Sequence, residues 1–359
     1  MKNQSLRFLA LLLVLLLALA PLGASAEAAS SPANWTDIRQ LVAGYDFVLG
    51  LRADGSLLYW GSRENGAAAA ANWTGVTQLI PLGYGPDALV GLRSDGSVVS
   101  TTGLDLSAWR NVKKVVGSAD WSSCWVAGLC ADGSVYTAHS PIAPEDAMYL
   151  SFDWLDGFSQ ERFTDLYLYQ GWTATTGLGA LRADGTVCTA DSEGGLLSYT
   201  ASWRDIVSLC STLDGFFGLR RDGTVACPPR VNEMGYSSSP ADWSNVAALC
   251  PGFQDDLYAL TADGKLLGAV IMEDARDCLR QAQSWPPLSA ILDAGWADLI
   301  ARDRNGELHF AGMLDTEVFS SPAELTNWRD VQSLYLSYSY AVALRSDGTV
   351  LIAGQLPEG

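Results

Sequence analysis

Leu51-Arg-Ala-Asp-Gly-Ser-Leu-Leu-Tyr-Trp-Gly61 decides how this chain reads, because the chain returns to it. It recurs as LRSDGSVVS from Leu92, LCADGSVYT from Leu129, LRADGTVCT from Leu181, LRRDGTVAC from Leu219, LTADGKLLG from Leu260 and LRSDGTVLIAG from Leu344. A degraded copy, ARDRNGELHFAG, starts at Ala301. The turn glycines are Gly55, Gly96, Gly133, Gly185, Gly223, Gly264, Gly306 and Gly348, spaced by 41, 37, 52, 38, 41, 42 and 42 residues. Asp-Gly between apolar runs is a hairpin signal: glycine reaches positive φ without a Cβ clash, and aspartate tolerates the neighbouring turn position. Asn305 takes the aspartate's place in the seventh copy. The second residue after each glycine is apolar, which marks the first inward position of the departing strand.

Upstream of each hairpin lies Trp-x-x-(Ile/Val)-x-x-(Leu/Val). It reads WTDIRQL from Trp35, WTGVTQL from Trp73, WRNVKKV from Trp109, WRDIVSL from Trp203, WSNVAAL from Trp243 and WRDVQSL from Trp328. RFTDLYL from Arg162 has Phe163 in the tryptophan's place, and WPPLSAIL from Trp285 is broken by prolines. The i, i+3 spacing could suggest a helix, but each run is short, precedes a turn-like loop and leads into a hairpin. One unit is therefore a Trp anchor, strand, loop, strand, Asp-Gly turn, strand and linker. A period near 40 residues with three strands predicts an all-β propeller of about eight short, three- to four-stranded blades, seven blades being the alternative. The tryptophans at the fixed offset, with Trp285 among them, read as wedges between blades.

The pattern W-x-x-(I/V)…L-x-x-DG-(S/T)-V…G resembles the regulator-of-chromosome-condensation repeat family in its compact bacterial form. The resemblance covers nearly all of residues 35 to 355. Among secreted members it is most similar to the propeller-type β-lactamase inhibitory proteins, and that likeness implies a protein partner held through one loop face. The eukaryotic namesake is a nuclear exchange factor, and no residue here carries that activity over. A propeller hosts many functions, so the resemblance speaks first to fold.

Residues 1–26 read as an export signal: Lys2 and Arg7, an apolar run from Phe8 to Ala20, Pro21, and Ala24-Ser25-Ala26 as a cleavage site. Residues 27–34 form a short lead, and residues 35–359 a single propeller domain, secreted or otherwise extracytoplasmic. Removal of Lys2 and Arg7 leaves 20 basic against 40 acidic residues, a net −20. Such a surface repels phosphate backbones and argues against nucleic acid. The long spacing before Gly185 places an insertion at His139 to Glu161, holding Phe152, Trp154 and Phe158, on the rim. Met272 to Gln283 reads as a short helical excursion.

If the first strand of a unit runs up, the Asp-Gly turns share one face and the loops between first and second strands share the other. Those loops carry aromatics in every unit: Tyr45, Phe47, Tyr84, Trp121, Trp172, Phe216, Phe253, Trp296 and Tyr338 stand out. Acids are interleaved, namely Asp46, Asp120, Asp214, Asp255 and Asp298. Aromatics supply desolvated area and acids supply steering, which suits a binding face. Catalytic chemistry is not legible: the two histidines, His139 and His309, lie in unrelated places, and no Ser/His/Asp order, metal-spaced His/Cys cluster or phosphate loop is found. Seven cysteines leave at least one unpaired, and Cys210 with Cys250, at matching places in neighbouring units, is the pair to test. The expected function is a non-enzymatic exported binding module, monomeric and without cofactor or metal. Its partner is expected to be another protein, a polysaccharide of the cell envelope being the alternative.

Overall fold

The computed structural model describes residues 31–62, 66–83, 88–119, 123–141, 151–171, 175–195, 197–295, 298–312, 325–337 and 339–358. The proposed signal, residues 1–26, lies outside them. The described residues form eight three-stranded antiparallel sheets, each made of three strands in sequence order. The first blade holds Ile38–Ala43, Phe47–Arg52 and Leu57–Gly61, and the eighth holds Val331–Leu336, Tyr340–Arg345 and Val350–Gly354. The chain is thus an eight-bladed β-propeller whose blades have three strands each among the described residues, and the alternative of seven blades is not what forms. The linkers carry 3-10 turns such as Gly66–Asn72 and Ser198–Ser202, and the α-helix Glu273–Ala282 lies where the charged stretch predicts a helical excursion.

First strands of successive blades lie beside one another, so they surround the axis and third strands lie outside. Middle strands are apolar nearly throughout, as in Phe47–Arg52 and Cys124–Cys130, because both of their faces are covered by neighbouring blades. The consequence is that the apolar cores lie between blades. Eight clusters of buried side chains fill the eight junctions, each drawing on two blades. Trp109, for example, packs with Val90, Leu92 and Val98 of the second blade and with Val112 and Val126 of its own. It lies so close to Gly128 that a Cβ there would sit 2.6 Å from its ring. Trp35, Trp203, Trp243 and Trp328 pack at other junctions, and Trp73 is partly buried at its own.

The Asp-Gly turns latch each blade to the next. In all eight junctions the turn glycine's carbonyl accepts an N–H from the start of the following blade, from Val76 N–H to Gly55 O at 3.1 Å round to Ile38 N–H to Gly348 O at 3.0 Å. Six blades begin with a residue at positive φ there: Asp37, Gly75, Asn111, Asp205, Asn245 and Asp330. That left-handed residue and the turn glycine touch backbone to backbone; a Cβ on Gly96 would meet Asn111 N and Cα at 2.7 Å. Asp and Asn are the non-glycine residues that enter this region at low cost.

The ring closes through both chain ends. Trp35, Ile38 and Val48 share a core with Tyr340, Val342, Leu344 and Val350, Leu356 packs against it, and Trp60 Nε1 donates to Pro357 O at 2.8 Å. The insertion folds inward: Phe152, Leu155 and Phe158 are buried between the third and fourth blades, and Trp154 meets Trp125 edge to face at 5.2 Å. These described residues of the insertion pack against the propeller.

Candidate binding face

The loops between first and second strands gather on the face opposite the turns, because every blade has the same up-down-up strand order. Of the aromatics expected there, two stand at the surface: Tyr45, 68% exposed, and Phe253, 37% exposed. Phe47 and Phe216 are corrections. Both are fully buried, Phe47 against Ala67, Val76 and Leu79, and Phe216 against Tyr169 and Leu181. Each belongs to a middle strand, Phe47 opening Phe47–Arg52 and Phe216 lying second in Gly215–Arg220, where even the loop end is roofed by a neighbouring blade, the next one for Phe47 and the preceding one for Phe216. Tyr84, Trp121, Trp172, Trp296, Tyr338 and Asp120 lie outside the described residues.

Tyrosine hydroxyls tie these loops together, a role not read from the sequence for Tyr169, Tyr236 or Tyr340. Tyr169 Oη donates to Leu213 O at 2.8 Å, and Tyr236 Oη donates to Asp255 O at 2.7 Å. Tyr340 Oη donates to Gly44 O and, at 3.1 Å, to Phe47 O across the closing junction. These hydroxyls reach across blades, which no local pattern announces. Burial pushes Tyr169 up to about 12, with Asp214 and Asp191 nearby adding to it.

The acids divide into two kinds. Asp191 is buried and caps its loop, accepting from the N–H groups of Glu193, Gly195 and Leu197 at 3.0, 3.3 and 3.1 Å. Asp256 accepts from Ile271 N–H at 2.8 Å in the same structural manner. Asp214, Asp255, Asp293 and Asp298 differ. None of the four has a lysine or arginine as an ion-pair partner among the described residues. Burial first, then the charge of Asp214, raises Asp255 to about 6. Burial first, then Asp298, raises Asp293 to about 6, and burial raises Asp298 as well. Asp255 corrects the expectation of a surface acid: it is 7% exposed, and its Oδ1 has no hydrogen-bond donor. Asp214 is exposed, while Asp46 and Asp298 are half-buried.

Arginines cluster at the other end. Arg52, Arg93, Arg220 and Arg345 end middle strands at the turn face, and Arg182 directly follows one, where turn aspartates such as Asp347 balance them. The molecule is therefore polarised, balanced charge on one face and uncompensated carboxylates on the other. A hollow of about 400 Å³ on the fourth blade is lined by Arg182, Cys188, Thr200 and Arg204. Its guanidinium groups are engaged already, Arg182 by Glu161 at 2.6 and 3.0 Å and Arg204 by backbone carbonyls. None of the seven cysteines is in a disulfide, including Cys210 and Cys250; burial raises both thiols, Cys250 to about 11.

No family model matches the chain, and no curated protein does. Among solved structures it is similar to the computationally designed Ika8 protein, at 17% identity and a TM-score of 0.49, covering 89% of this chain and 96% of that one. It is similar to a chain in the structure of Kap60 bound to yeast RCC1 (Prp20), at 14% identity and a TM-score of 0.37, covering 89% and 74%. BBS1N, solved in complex with ARL6DN, is similar at 9% identity and a TM-score of 0.37, covering 90% and 92%. Such distant likeness concerns fold alone, and the propeller stands on the chain's own eight sheets and eight inter-blade cores.

Proposed function

We propose that this chain is an exported, non-catalytic binding module that holds a protein with a basic contact patch on its loop face. The observation that carries this reading is the group Asp214, Asp255, Asp293 and Asp298, at neighbouring blades and without an ion-pair partner among the described residues. Keeping like charges together costs stability, and a cationic partner removes that cost. Exposed Tyr45 and Phe253 offer rigid apolar area on the same face, the residue type that anchors protein interfaces. The net charge adds long-range steering toward basic surfaces. Export rests on residues 1–26 as a sequence pattern.

The test is a capture experiment with the chain from Glu27 as bait, beside a variant carrying Tyr45→Ala, Asp214→Asn and Phe253→Ala. The prey are proteins and wall polysaccharides of the source environment. A basic protein held by the parent, released by salt and lost by the folded variant supports the reading. Equal retention by both baits, or capture of polysaccharide alone, overturns it.

A further inference from the structure

The seventh hairpin departs from its sister copies at three positions, and the three departures meet in space. Three residues before the turn glycine stands Asp303, where the other copies have arginine, cysteine or threonine. One residue after it stands Glu307, where they have serine, threonine or lysine. Three after it stands His309, where they have leucine, valine, tyrosine, cysteine or alanine. The repeat is its own control: the fold needs none of these side chains in the other blades.

Turn geometry explains one atom. In most copies the turn aspartate caps the turn, as Asp54 Oδ1 does by accepting from Ser56 N–H at 2.9 Å. Asn305 replaces that aspartate, and Asp303 Oδ1 takes over, accepting from Asn305 N–H at 2.8 Å and Glu307 N–H at 2.9 Å. This fixes the buried carboxylate and leaves Oδ2 facing His309, whose Nε2 lies 3.2 Å away. A Glu307 carboxylate oxygen lies within 4.8 Å of both. Neighbouring ligands on a tetrahedral ion with bonds of about 2.0–2.1 Å are about 3.3 Å apart, so Asp303 and His309 already stand at ligand spacing. Arg329 Nη2, 3.3 Å from Glu307 Oε1, orients the glutamate, and the Trp285 ring covers the imidazole at 5.7 Å between centroids.

We propose that Asp303, Glu307 and His309 bind a divalent transition-metal ion, with zinc the best fit. One imidazole nitrogen and two carboxylate oxygens suit zinc with water in the fourth position. Calcium and magnesium prefer all-oxygen sets of higher number. In the loaded form Nε2 carries the lone pair and the ring proton resides on Nδ1. The site clips the outer hairpin of the seventh blade on the turn face, away from the acidic loops, and is independent of the partner proposed there.

The test titrates the chelator-treated chain from Glu27 with Zn2+ by calorimetry and with Co2+ by visible ligand-field absorption. One equivalent is expected, with Co2+ bands of a nitrogen- and oxygen-ligated tetrahedral ion and quenching of Trp285 emission that Trp285→Phe removes. His309→Gln and Glu307→Gln should each weaken binding about tenfold or more, while His139→Gln leaves it unchanged. Glu307 is exposed, so its variant reports on binding even if the His309 variant misfolds. Absence of saturable binding by the parent, or unaltered Co2+ spectra in the Glu307→Gln protein, overturns the proposal.

Discussion

Asp255 shows what a single side chain does in this ring. Its carboxyl is nearly enclosed, its Oδ1 has no donor, and Asp214 stands beside it. The folded-state value of about 6 exceeds the ordinary 3.8, so the native chain holds a proton that the unfolded chain releases first. Stability from this group is therefore full below about 3.8 and is lost as pH rises through about 6. Asp293 acts in the same direction over the same window. Asp255→Asn removes the ionisation at nearly constant side-chain shape. It should stabilise the protein at pH 7 by on the order of 1–3 kcal/mol and leave stability near pH 3.5 unchanged. Thermal melts of parent and variant across that range check it; a gap that fails to open with pH would mean the carboxyl is solvated or proton-free in the native state.

Between elements, the latch matters more than the turn. Gly96 and Gly103 both have φ of +76°, so alanine strains the backbone at either position. A Cβ at Gly103 meets nothing within 4 Å, whereas at Gly96 it would press on Asn111 backbone atoms at 2.7 Å. Gly103→Ala should cost about 1 kcal/mol, the left-handed strain alone, and Gly96→Ala at least twice that, because the second and third blades must part. Chemical denaturation of the two variants measures the difference. The same contrast shows what could be read from the chain. The hairpins were legible because Asp-Gly chemistry is local and repeats. The blade starts were legible in principle too, in the Asp, Asn or Gly before each Ile or Val, yet that residue's partner is a glycine 15 to 24 residues upstream in the previous blade or, for Asp37, Gly348 in the last blade. Loop aromatics misled for the opposite reason: Phe47 and Phe216 look exposed beside a turn, but burial on both faces of a middle strand is a property of the assembled ring. The cross-blade bonds of Tyr236 and Tyr340 were not legible because their acceptors lie in other blades.

At the scale of the whole molecule, no blade owns a core. Removing residues from 327 onward would bare Trp35, Ile38 and Val48 on one side and Ile300, Leu308 and Leu325 on the other. At about 1.5–3 kcal/mol per large apolar side chain, that exposure rivals the ~5–15 kcal/mol that holds a domain folded. The truncated chain should lose its cooperative thermal transition, and calorimetry beside the full chain checks this. A transition surviving within a few degrees would mean that an open array of blades is stable. The junction that joins the two ends, with Trp60 bound to Pro357 and Trp35 packed on Leu344, is built of the same parts as the other seven. To the ring, then, where the polypeptide starts is arbitrary: a circular permutant joined through its old termini and opened between two other blades would keep every latch and every core, with only the address of its seam changed.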